Sequence, residues 1–209
     1  MKGNFIMAKK QHIKVFTNAD KDTLAGLYRI GGLTKEHIES LGTSQDRLKK
    51  HIKQGYIERA EEHYDRKTKT SNSIYRLTDA GKRKCREICE VGSSYKSAAV
   101  KHDLALADKY VELHKQGLTQ KWLTEQDWRN KLEDEIERLR NQGNTREADR
   151  IEDDWRKKEI SVPDGGYMSS EGQLVAVEVI TKYYTSEQIE AKHEFVQTMN
   201  VQYEEINIK

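Results

Sequence analysis

The sequence predicts an α+β protein made of two unlike parts, and three observations lead there. Charge is divided: residues 1–100 carry 21 Lys and Arg against 12 Asp and Glu, net +9, whereas residues 101–209 carry 16 against 23, net −7. The total of +2 hides a basic front half and an acidic back half. Apolar residues follow a helical period through residues 18–54 and again through much of 94–158, while a two-residue period appears between 56 and 78 and from Ile160 onward. Finally, 209 residues suffice for one large domain or two small ones with their own cores. We divide the chain into residues 1–95, a helical segment at 96–159, and a β-β-α-β unit at 160–209.

In the front half, Leu24, Leu27, Tyr28 and Ile30 share a helical face that Gly31 and Gly32 terminate. A second helix follows Thr34 as its N-cap, with Ile38 and Leu41 facing inward and Gly42 suited to a left-handed stop. The third helix, capped by Ser44, should bury Leu48 and Ile52 at i,i+4. Two short helices around a tight turn containing Gly match a helix-turn-helix. With Leu48 and Ile52 inside, Thr43, Ser44, Gln45, Arg47, Lys49, Lys50 and Lys53 are left as the candidate DNA contacts, polar at the start and cationic further along. "YIERAEE" and "SNSIYRLT" read as strands around a polar loop whose Arg66, Lys67 and Lys69 would reach phosphate or the minor groove. A closing helix begins near Thr78. Three helices, a hairpin and a helix resemble the winged-helix DNA-binding family over about residues 15–90. The same fold used only for protein contacts is the alternative, and the basic charge favours duplex DNA.

In the back half, Leu104, Ala107 and Val111 mark a long amphipathic helix ending at Gly117. Trp128, Leu132, Ile136 and Leu139 form a narrow stripe suited to a partner helix, and Ala148, Ile151 and Trp155 repeat the behaviour after a break at 141–144. A helical hairpin is expected there, and a homodimer through the helices of 104–158. "ISVPDGGYM" and "QLVAVEVIT" read as strands around the turn "SSEG", followed by a helix and a last strand, "VQYEEINI". Both faces of "QLVAVEVIT" are mostly apolar, as in a central strand covered on each side, and that buries Glu178. A lone buried carboxylate is costly unless paired, hydrogen-bonded or metal-bound.

The order helix, strand with "PD", strand with Glu, helix, strand resembles the core of the PD-(D/E)xK nuclease superfamily. That resemblance implies Asp164 and Glu178 as magnesium ligands, with Glu125 of "WLTEQDW" as a helical acid. The lysine expected two residues after the second acid is absent, because Ile180 stands there and Lys182 lies two residues further on. More broadly, "GYIERAEE…SNSIYRLTDAGKR", "VKHDLALADKYVEL", "WLTEQDW" and "PDGGYMSSEGQLVAVEV" in this order resemble the replication-relaxation family of plasmids, phages and conjugative elements over about residues 17–182. This implies a duplex-DNA-binding accessory of replication or mobilisation, with a nuclease-like second domain expected to be non-catalytic and to contact itself or replication and transfer proteins. A transcriptional regulator and a magnesium-dependent nuclease are the alternatives, and no cofactor is expected outside the latter.

The remaining features are read modestly. No apolar run reaches the length of about 18 residues needed to span a membrane, so a cytoplasmic protein without membrane contact is expected. Cys85 and Cys89, one helical turn apart, are expected to be free thiols rather than a zinc pair with His102. His102 and Asp103 are expected to cap a helix start. His114 and His193 are read as packing or surface residues, and Tyr183 and Tyr184 as aromatic packing at a strand end.

Overall fold

Short-range hydrogen bonding sets the front half of this computed structural model, which describes residues 11–65, 69–96 and 99–208. Thr17 and Asp20 satisfy each other's amides in a capping box and so start α1 (Asn18–Ile30). After β1 (Leu33–Thr34), Thr34 and His37 start α2 (Lys35–Ser40) in the same way, and the Ser44 hydroxyl caps α3 (Gln45–Gln54). Helix α3 stops at Gly55, whose φ of 80° lies in the left-handed region that disfavours a side chain. The chain then forms the antiparallel hairpin β2 (Ile57–Asp65) and β3 (Thr70–Leu77), with a register shift between Arg59 and Glu61, and enters α4 (Asp79–Ile88). Strand β1 pairs with β3, giving the order β1-β3-β2.

One expected core position is corrected. Ile52 is 38% exposed, and the residue that turns inward beside Leu48 is His51, which is fully buried. The polar side chain wins because Asp20 waits inside, 2.8 Å from its Nε2. Thr43 is also buried rather than displayed: its hydroxyl donates to the Ala19 carbonyl and accepts from Thr23, which fixes the turn before α3 onto α1.

The back half comprises α5 (Val100–Lys115), β4 (Leu123–Thr124), α6 (Glu125–Asn141), α7 (Thr145–Lys157), β5 (Gly165–Met168), β6 (Leu174–Thr181), α8 (Ser186–Met199) and β7 (Gln202–Ile208). Its sheet runs β4-β5-β6-β7, antiparallel except that β6 and β7 are parallel, as α8 between them permits. The molecule is thus mixed α and β, with strands confined to two sheets among the described residues.

Strand β6 is covered on both sides. Val177 and Val179 join a core with Leu106, Tyr110, Trp122 and the apolar face of α1, while Ala176 joins a second core with Trp128, Leu132, Ile151 and Phe195. The first core therefore crosses the boundary drawn at residue 95. Arg29, at the end of α1 and only 6% exposed, ties the halves together by donating to the carbonyls of Thr119, Glu90 and Gln120 at 2.7–3.0 Å. The narrow stripe of α6 meets Ala148 and Ile151 of its own chain. Helices α6 and α7 therefore pack on each other, as the expected helical hairpin requires.

Gly81 marks the closest approach of α4 to the hairpin. The Thr78 amide donates to the Tyr56 carbonyl, and a Cβ on Gly81 would stand 1.9 Å from that oxygen. In an isolated helix Gly→Ala stabilises by about 1 kcal/mol. Here Gly81→Ala should instead lower stability by about 2 kcal/mol or more, measured as a lower urea midpoint. An unchanged or raised midpoint would refute this docking of α4.

Candidate functional site

The exposed face of α3 is the first candidate. Gln45, Lys49, Lys50 and Lys53 are all exposed on it. Lys49 pairs with Asp46 at 3.0 Å, whereas Lys50 and Lys53 form no ion pair among the described residues. Ser44 is used as the helix cap. Arg47 departs from its expected outward role: its Nε and Nη2 donate to both oxygens of Asp20, at 2.8 and 2.6 Å, and Nη2 also donates to the Val15 carbonyl. Lys69 is exposed where the chain enters β3, and Arg66 and Lys67 lie outside the described residues.

Asp20 organises this face from beneath. Burial would raise its carboxyl, but bonds from Arg47, the Thr17 amide and His51 outweigh burial and hold it far below the ordinary carboxylate range. His51 in turn is held below its ordinary value, chiefly by burial. A bidentate guanidinium and an imidazole on one carboxylate fix the rotation of α3 about its axis, and this turns Lys49, Lys50 and Lys53 to solvent.

The second candidate is the acid pair formed by Asp164, just before β5, and Glu178 on β6. The structure brings Asp164 and Glu178 together: the Asp164 amide donates to Glu178 Oε2 at 3.0 Å, and the Val179 amide donates to Asp164 Oδ2 at 2.9 Å. Glu178 is completely buried, and its Oε1 accepts from the Tyr184 hydroxyl at 2.7 Å and from Lys192 at 2.8 Å. Lys192 also donates to the Val162 carbonyl at 2.6 Å. Burial and the nearby Asp164 charge push the Glu178 carboxyl up to about 7, against the pull of Lys192 and Tyr184.

His102 closes the network from α5. Its Nε2 lies 2.9 Å from Asp164 Oδ2, and its Nδ1 faces the Tyr95 hydroxyl at 3.3 Å and Asp103 at 3.7 Å. Burial alone would lower this imidazole, but the hydrogen bonds and charges of Asp103 and Asp164 raise it to about 10, so it is cationic at neutral pH. Ala99 is the N-cap of α5 and its side chain makes no capping bond; Asp103 lies in the first turn of α5, as expected, and also accepts the Tyr95 hydroxyl at 3.1 Å. Tyr184 likewise does more than pack, whereas Tyr183 is 78% exposed.

A magnesium ion, which the nuclease resemblance implies on these acids, finds a poor donor set. Both oxygens of Glu178 are engaged by protein donors, and Glu125 is turned to Arg129 at 2.5 Å. Lys192 and cationic His102 already supply the positive charge that a divalent ion would bring. Among the described residues no group of three His, Cys, Asp or Glu is placed to hold a metal ion. Cys85 and Cys89 are free, and His102 is committed elsewhere. The geometry is that of a buried network in which two acids face two basic side chains and both oxygens of Glu178 are met by protein donors.

Sequence spacing singles out Asp164 and Glu178 but carries no sign of Lys192 or Tyr184 as their partners. Lys192 lies 14 residues from Glu178 and His102 lies 62 from Asp164, and only packing of α8 and α5 against the sheet joins them.

Two outcomes test the network. Lys192→Met should lower stability at neutral pH and push the Glu178 carboxyl further up, because the buried acid loses the cation beside it. Adding Glu178→Gln should recover most of that loss in urea unfolding. The pH dependence has a definite sign. The native state holds a proton on Glu178 more tightly than the ordinary 4.5 allows, so this group makes stability fall as pH rises from about 4.5 to about 7. The His102 contribution is complete below its ordinary 6.5 and is lost as pH rises towards about 10. Glu178→Gln should flatten the lower part of the thermal-midpoint profile and His102→Gln the upper part. Profiles identical to wild type would refute both assignments.

Compared with known proteins, the chain matches no family model, no curated protein and no solved structure.

Proposed function

We propose that the front half is a winged helix that binds duplex DNA, and that the chain is a DNA-binding accessory protein. One observation carries this reading. In the order α1-β1-α2-α3-β2-β3-α4, with the sheet order β1-β3-β2, α3 presents Gln45, Lys49, Lys50 and Lys53 to solvent beside a long hairpin. A helix of this kind fits the major groove, its first residues near base edges and its later lysines near phosphates. The net +9 of residues 1–100 supports a polyanionic partner.

In this reading Gln45 is the base-reading candidate, Lys49, Lys50 and Lys53 hold phosphates, and the hairpin end with Lys69 contacts the neighbouring backbone. Arg47 serves by positioning α3 through Asp20 rather than by touching DNA. The resemblance of the motif order to the replication-relaxation family supports a role in mobile-element replication or transfer, in which the acidic half would contact other proteins. The engagement of both Glu178 oxygens by protein donors favours a non-catalytic back half over a magnesium-dependent nuclease.

The binding face is tested with Lys50→Ala combined with Lys53→Ala, both exposed positions. The pair should weaken duplex binding about tenfold or more and reduce the steepness of log K against log salt by roughly 2. Anisotropy titrations of a labelled duplex at several salt concentrations measure both. An unchanged salt slope would remove α3 from the interface.

A further inference from the structure

The back half is acidic overall, yet one cavity in it is cationic. A pocket of about 430 Å³ lies between the end of α7, the segment 160–162 and the first half of α8. Arg129, Arg156, Lys158 and Lys192 line it from three helices and a helix end, and no carboxylate does. In a half of the chain with 23 acids and 16 bases, this exclusion of acids defines a distinct local environment.

The carboxylates stand behind these cations and orient them. Glu125 pairs with Arg129 at 2.5 Å, Asp153 with Arg156 at 3.0 Å, and Glu178 with Lys192 at 2.8 Å. Lys158, held at φ 65° where α7 ends, is exposed and has no ion pair among the described residues. Lys192 spends two of its three N–H donors on Val162 and Glu178, which leaves one. Half-buried Trp155 and Tyr184 add aromatic surface to the same pocket, and Gln188 brings in the first turn of α8, the positive end of its dipole.

Size and charge together narrow the ligand. The volume falls within the range of about 300–1,000 Å³ typical of small-molecule sites. Four cations with no lining acid suit a phosphate, with its second charge and additional acceptor oxygens, better than a single carboxylate. A neighbouring indole suits a stacked base. We propose that this cavity binds a nucleotide through its phosphate monoester, with the base against Trp155. The same chemistry is offered by a mononucleotide in solution and by the phosphorylated end of a DNA strand. The site is separate from the α3 face and does not depend on the duplex-binding reading.

Trp122 and Trp128 are 3% and 0% exposed, so Trp155 is the tryptophan whose fluorescence a bound base can quench. The titration uses full-length protein carrying Lys50→Ala and Lys53→Ala, so that binding at α3 does not intrude. The probes are dAMP, deoxyadenosine, and a single-stranded trinucleotide with either a 5′-phosphate or a 5′-hydroxyl. Saturable quenching is expected from the phosphorylated probes, with competition by inorganic phosphate and binding of deoxyadenosine weaker by about tenfold or more. Adding Arg156→Ala and Lys158→Ala, both exposed, should weaken phosphate-dependent binding about tenfold while circular dichroism and the thermal midpoint stay unchanged. Preference for the 5′-phosphorylated trinucleotide over dAMP identifies the strand end, and the reverse identifies the mononucleotide. Failure of every phosphorylated probe to saturate, or undiminished binding after the two substitutions, would overturn the proposal.

Discussion

A carboxylate at the centre of a strand covered on both faces is the constraint around which the back half is built. Glu178 sits on β6 with no access to water, and such a group is tolerated only when its charge and lone pairs are met by protein. Lys192, Tyr184 and the Asp164 amide meet them, and each fixes a different piece of chain. Lys192 sets α8 against the sheet and also holds the Val162 carbonyl, Tyr184 fixes the turn out of β6, and Asp164 passes the network on to His102 of α5. Apolar burial on either side of β6 supplies the non-directional attraction, while this network selects one register and one orientation among many that apolar packing would accept.

Asp20 plays the corresponding part in the front half. It closes the capping box that starts α1 and receives Arg47 and His51 from α3, so one carboxylate joins a helix start to a helix face. Its consequence reaches the surface of α3. Because Arg47 and His51 are pulled inward, the solvent face of α3 is left to Gln45, Lys49, Lys50, Ile52 and Lys53. The lysines of that face are thus oriented by a buried acid.

The two halves are mechanically continuous. Arg29 spans from α1 to the carbonyls before β4, and the apolar core runs from α1 through α5 to β6. The acidic character of residues 101–209 therefore cannot be read as a detached tail, and it is not uniform. Carboxylates pair with Arg129, Arg156 and Lys192, and the pocket that these cations line has no carboxylate in its lining. Net charge describes a long-range field, whereas a pocket a few ångströms wide is governed by which groups line it.

The sequence by itself determined the local elements. Capping residues such as Thr34 and Ser44 and the double-sided apolar run of β6 act within a few residues of one another, so spacing alone reveals them. It also marked Glu178 as a buried acid in need of a partner and paired it with Asp164. Tertiary structure alone decided what those acids meet, that His51 rather than Ile52 turns inward, and that Arg47 binds Asp20. These outcomes depend on groups 14–62 residues apart brought within hydrogen-bond distance. A side chain's orientation follows the strongest partner that the fold delivers, and periodicity carries no record of a partner so distant along the chain.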